Sequence, residues 1–191
     1  MDLQRIQIKF LTDAPATLNL EPFVAIFGRW RADKKHPADW VDLADYAHLP
    51  GAGSILLAGK NANFAFDMSP PAPGVLYMAR KGLNGTPAER IALTLRASFE
   101  MCRRLMTEPD FPKDVRLQIG AMELSFPDRL ETPNTPATDQ ALRPPIEQIL
   151  HRILGESGYE LTWRSDPRLA YGVSVRSKIK EPLENMLQRL G

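Results

Sequence analysis

The chain has 191 residues, 24 Lys and Arg against 23 Asp and Glu, a formal net charge of +1 and a single cysteine, Cys102. That length buries a sizeable core without covalent staples, and a lone thiol excludes an internal disulfide. Near-neutral charge with scattered basic residues argues against a nucleic-acid surface, and no apolar run approaches the roughly 18 residues of a membrane span. The opening MDLQRIQIKFLTD has an apolar run too short and too charged for a secretory leader, so the expected location is the cytoplasm.

RIQIKFL alternates Ile6, Ile8 and Phe10 with Gln7 and Lys9, the period-two pattern of a strand with one buried face. After Asn19, an expected N-cap, Phe23, Ile26, Phe27 and Trp30 form one apolar stripe on a helix that ends at the exposed DKKHP connection. DWVDLADY, SILLAG, NFAFDM and GVLYMAR follow as four strands whose short connections favour antiparallel neighbours. The next helix opens with a Thr86/Glu89 capping box and Pro87, and aligns Ile91, Leu95, Phe99, Cys102 and Met106 on one face. RLQIGAMELSF reads as a strand and PDRLETPNTPATDQALRPP as an irregular loop, with Pro144 and Pro145 opening a helix that Gly155 stops. Strands YELTWRS and AYGVSVRS and the helix EPLENMLQRL complete the chain.

In order the elements run β-α-β-β-β-β-α and then β-α-β-β-α. The expected fold is α+β, a two-layer α/β sandwich in which a mostly antiparallel sheet carries its helices on one face. A single domain over 1–191 is expected, with halves 1–110 and 115–191 as related βαββα-type units. The other sheet face should then present Gln7, Lys9, Gln118, Glu160, Thr162, Arg164, Ser174 and Arg176, a polar and mildly basic surface.

HLPGAGSILLAGKN resembles a phosphate loop only superficially. Gly53 is followed by five residues rather than four before Gly59, Asn61 stands where a hydroxyl belongs, and the stretch leads into strand instead of helix. Gly51-Ala52-Gly53 reads better as a tight connection in which glycine supplies positive φ. Around it lies the densest polar cluster, in which His48 and Asp45 form a candidate acid-base pair. Lys60, Asn61, Asn63, Asp67 and Arg80 are the candidate ligand-binding residues, with Lys60, Arg80 or Asn63 suited to an anion. His36 and His151 lack spaced partners, so no metal is indicated, and no motif implies a cofactor. Cys102 on its apolar stripe reads as inert core.

The run DLADYAHLPGAGSILLAGKNANFAFD, with IQIKF before it and PGVLYMARKGLNG after it, resembles a bacterial protein family of no assigned activity. The resemblance implies a bacterial cytoplasmic protein of α+β fold and carries over no catalytic residue. The leading functional expectation is a non-catalytic module that binds a small ligand or forms a homodimer through the uncovered sheet face. The alternative is an enzyme acting on a small polar or anionic metabolite through His48 and Asp45. Nucleic-acid binding through Lys9, Arg164 and Arg176 ranks below both.

Overall fold

Alternation in the first strand sets the geometry of the whole sheet. In a computed structural model describing residues 1–33 and 39–191, β1 (Ile6–Thr12) turns Ile6, Ile8 and Phe10 into the core, each 0 % exposed. The strands β2 (Trp40–Asp45), β3 (Ser54–Gly59), β4 (Ala62–Asp67) and β5 (Gly74–Ala79) form a meander that returns to pair with β1. On the other side of β1 lies β6 (Leu117–Phe126), followed in space by β8 (Tyr171–Ser177) and, at the far edge, β7 (Tyr159–Trp163). The result is one eight-stranded sheet in the order β2-β3-β4-β5-β1-β6-β8-β7, with every neighbouring pair antiparallel.

Register shows how burial specifies this pairing. Leu43, Leu57, Phe64, Tyr77, Ile8, Leu124, Val173 and Trp163 stand opposite one another in turn, an apolar row with one residue from each strand. A slip of one residue in any strand would send its contribution to the wrong side. The four helices, α1 (Glu21–Ala32), α2 (Pro87–Met106), α3 (Pro136–Leu154) and α4 (Leu183–Leu190), all lie on the side of this row. Phe23 of α1 stacks on Phe66 at 4.0 Å, Phe99 of α2 stacks on Phe10 at 5.1 Å, and Tyr171 donates a hydrogen bond to Asp139 of α3. α4 completes the layer against α2 and α3. The fold is therefore α+β, a two-layer sandwich, as expected.

In each half a central strand is followed by a helix and then by strands that run from the sheet edge back to its flank. The first half does this with four returning strands beside β1, the second with two beside β6, and β1 and β6 meet in the middle.

Local chemistry explains most element ends. The α2 capping box forms, with the Glu89 carboxylate accepting from the Thr86 backbone N–H and the Thr86 hydroxyl accepting in return. The Asn19 side chain caps by accepting from the Glu21 N–H, although the N-cap position itself belongs to Leu20. Gly51 takes φ +68 in the turn between β2 and β3. Residues 34–38, which hold His36 and most of the DKKHP connection, lie outside the described residues.

The helix α3 differs from its expected start. It begins at Pro136, not at Pro144, and Pro144 and Pro145 sit inside it. Residues before the proline pair are held by other means: the Thr135 hydroxyl accepts from the Thr138 N–H, Asp139 and Arg143 pair one turn apart at 2.9 Å, and Leu142 is 2 % exposed. Capping, an ion pair along the helix and burial of Leu142 together offset the hydrogen bonds that the two prolines cannot donate.

Phe10→Ala removes a fully buried ring and its stacking partner's contact from the middle of the core. Urea unfolding should show a loss of about 3–5 kcal/mol; a loss below about 1 kcal/mol would mean that the β1–α2 contact is not part of the cooperative core.

Candidate functional site

The uncovered face carries a second row, one residue along from the first: Ala44, Leu56, Ala65 and Leu76, then Lys9, Glu123, Ser174 and Thr162. Half of it is apolar and half polar, with the change at the sheet centre. Lys9 and Glu123 stand directly opposite each other and each is only 5 % exposed, although no helix covers them. Charges so far from water must be paired. The Lys9 ammonium lies 2.7 Å from an Asp67 carboxylate oxygen and donates to the Ser69 carbonyl at 2.6 Å, while Gly74 leaves room for the Lys9 stem. Glu123 accepts from the Ser174 hydroxyl at 2.7 Å and faces the guanidinium groups of Arg176 at 3.4 Å and Arg164 at 3.6 Å. Arg164 lies over Gly172, where a Cβ would collide with it.

The expected polar face is thus real at its centre but closed on itself. Lys9 is tied to Asp67, and Arg164 and Arg176 are gathered round Glu123, a residue the strand alternation did not mark. Asp67, expected as a ligand-binding residue, is taken up by Lys9 and by the Ser69 hydroxyl.

The expected acid-base pair does not assemble. Asp45 accepts from the Ala47 N–H in a local turn, His48 is exposed, and no hydrogen bond or ion pair joins them. Beside this turn the 16–20, 47–53 and 68–73 segments line a cleft of about 580 Å³ with prolines, aliphatic side chains and backbone, and without a charged residue. Such a lining offers no group to move a proton.

Unpaired charge collects at the opposite end of the sheet. One residue beyond the Ile6–Ala79 pair stand Arg5 and Arg80, and the turn between β3 and β4 brings Lys60 beside them. Together with Lys81, Met78 and Pro127 they line a cavity of about 560 Å³. Lys60 pairs with Asp39, but among the described residues Arg5, Arg80 and Lys81 form no ion pair. The Arg80 backbone N–H donates to Asn61, which fixes the last rung between β4 and β5 and with it the direction of the Arg80 side chain. Asn63, one strand from Met78 on the same face, keeps a buried carboxamide oxygen with no hydrogen-bond donor.

Two of the expected anion-binding residues, Lys60 and Arg80, therefore meet in one concavity, joined by Arg5 and Lys81. Nothing in the residue pattern near Arg5 singled it out, since only pairing between β1 and β5 brings positions 5 and 80 together. Lys81 turns in from the segment after β5.

On the helix side of the same strand ends, Asn61, Ala62, Tyr77, Leu83, Glu100 and Met101 contribute to a smaller cavity of about 310 Å³, and Lys81 lines this one too. Burial, with a contribution from the charge of Glu100, pushes the Tyr77 phenol up to about 12, so it stays protonated at neutral pH. Cys102 is 0 % exposed and burial pushes its thiol well above the ordinary range, which keeps it unreactive. Among the described residues no group of three or more His, Cys, Asp or Glu side chains is arranged to hold a metal ion, and no helix is long and apolar enough to cross a membrane.

The internal pairing predicts an asymmetric mutational response. Asp67→Ala leaves the Lys9 ammonium buried with only neutral acceptors, at a cost of about 3 kcal/mol, whereas Lys9→Met keeps the stem and leaves the Asp67 carboxylate, the more exposed partner, with the Ser69 N–H and hydroxyl as donors, and costs less. Chemical denaturation measures both, and equal stability of Asp67→Ala and the parent would show that Ser69 alone satisfies the ammonium.

Comparison of the chain with protein-family models, with curated proteins and with solved structures gave no match.

Proposed function

We propose that the protein is a non-catalytic module that binds a small anion at the basic end of its sheet. One observation carries the reading: Arg5, Arg80 and Lys81, without counter-charges of their own, surround a single concavity together with Lys60. At the sheet centre, by contrast, the cations are paired, Lys9 with Asp67 and Arg164 and Arg176 with Glu123. Uncompensated like charges at one place repel each other and are relieved by an anion. Arginine forks suit the paired oxygens of phosphate or carboxylate, and two forks on adjacent antiparallel strands hold a fixed separation. With no hydrogen bond joining His48 to Asp45, and with only arginine and lysine as titratable groups in the cavity lining, the arrangement favours binding over catalysis.

Isothermal titration with pyrophosphate at low ionic strength tests this. Binding should weaken as salt is raised, because the cations are exposed and screened. Combined Arg5→Ala and Arg80→Ala should weaken it about tenfold or more, each contact contributing on the order of 1 kcal/mol, while Lys113→Ala at the other end of the sheet leaves it unchanged. Absence of binding at low salt, or equal loss in the Lys113 variant, overturns the proposal.

A second reading, a homodimer through the uncovered face, draws on the apolar half of that face, where Leu56, Leu76 and Met78 are only partly covered. Light scattering at micromolar to millimolar concentration should then give twice the chain mass, falling to one in Leu76→Lys; a single-chain mass throughout removes this reading.

A further inference from the structure

We infer that the anion is an organic phosphate of the nucleotide class, with its phosphates among Arg5, Lys60, Arg80 and Lys81 and its ring on the other side of the strand ends, against Tyr77. The inference rests on the anion-binding reading above and adds the identity of the ligand.

Charge comes first. Four cations, one of them paired with Asp39, leave three positive charges around the cavity of about 560 Å³. A monocarboxylate would neutralise one of them. A phosphoryl group carries close to two charges at neutral pH and a diphosphate about three, so phosphate chemistry balances the site and a simple carboxylic acid does not.

Position comes second. Met78 and Tyr77 are consecutive on β5 and point to opposite faces, Met78 into the basic cavity and Tyr77 into the smaller one of about 310 Å³. Lys81 lines both, and Asn61 and Arg80 form the last rung between them. A ligand that passes over this rung therefore has its charged part on the uncovered face and the rest on the helix side. Each cavity lies within the size range of small-molecule sites or at its lower edge.

The chemistry of the smaller cavity comes third. Tyr77, Leu83, Ala97 and Met101 supply flat and apolar surface. The Tyr77 hydroxyl, kept protonated, is a donor, the Glu100 carboxylate an acceptor, and the Asn61 carboxamide both. Apolar walls with a few donors and acceptors match a heteroaromatic base, whose faces are apolar and whose edges hydrogen-bond.

The test is calorimetry on the full chain with pyrophosphate, the four common nucleoside diphosphates, and the matching nucleosides. At least one nucleoside diphosphate should bind ten times tighter than pyrophosphate, and its nucleoside at least a hundred times more weakly than it. Tyr77→Leu should abolish the tenfold advantage and leave pyrophosphate unchanged, while Arg80→Ala weakens both. Ala97→Phe, a substitution at a half-buried position of α2 that lines the smaller cavity and fills it, should repeat the Tyr77 result if Tyr77→Leu fails to fold. Pyrophosphate bound as tightly as every diphosphate, or an advantage untouched by either cavity variant, overturns the inference while leaving the anion site standing. Failure of pyrophosphate and nucleotides alike removes both. Affinity that keeps rising with the length of an oligonucleotide overturns it in favour of a strand.

Discussion

Everything in this molecule follows from one-sided burial of a wide sheet. Eight strands present an unbroken apolar row to four helices, and aromatic contacts such as Phe10 with Phe99 and Phe23 with Phe66 fasten the two layers. Period-two geometry then forces the alternate residues of every strand onto a face with no helix to cover it. Water receives some of them, but at the centre the neighbours are too close, and Lys9 and Glu123 end up nearly dry. Their partners are supplied by the sheet itself and the loop after β4. Glycine helps at two points, Gly74 beneath Lys9 and Gly172 beneath Arg164, where any side chain would displace the charged group.

Strands and helices with regular periods were readable from residue pattern because one physical term, burial of an alternating or helical stripe, decides them. β1, β3 and α2 are of this kind, and α2 adds a capping box whose two hydrogen bonds both form. Where the structure departs from the residue pattern, a particular irregularity or a distant contact is responsible. In β6 the pairing jumps between Phe10 and Leu11 of β1, from Met122 to Gln118, so that Ile119 to Ala121 form an irregular insertion. Alternation counted forward from Gln118 is therefore out of phase after it and does not reach Glu123, the most buried acid of the uncovered face. In α3 the proline pair suggested a start, whereas the helix is held through it by Leu142, the Asp139–Arg143 pair and the Tyr171 hydroxyl. Those partners come from other turns of the helix and from a strand more than thirty residues away, beyond the reach of local pattern.

The basic cavity was half visible for a related reason. Lys60 and Arg80 lie near enough in sequence to be considered together, across two short hairpins. Arg5 joins them only through pairing of β1 with β5, a contact between the first and fifth strands that residue types near position 5 do not announce. Asp45 and His48, by contrast, are close in sequence but separate in chemistry. Aspartate at the mouth of a turn satisfies the nearest backbone N–H, here that of Ala47, and imidazole three residues on is left to solvent.

Sequence proximity favours turn formation; convergence of like charge requires topology. That difference bears on where the proposed anion site lies in this fold. A cation in the middle of a sheet is stable only with an acid beside it, so the sheet centre selects for closed pairs such as Lys9 with Asp67 and has little left for a ligand. Strand ends are wetter, and a cation there survives unpaired at small cost because water screens it. The same exposure lets the side chain exchange water for an incoming anion with little reorganisation. Arg5 and Arg80 are held in register by the rungs behind them, Ile6 with Ala79 and Arg80 with Asn61, so their spacing is set by the rigid sheet while their charge stays available. Rigid placement with unspent charge is what separates a binding site from a surface that merely contains arginine.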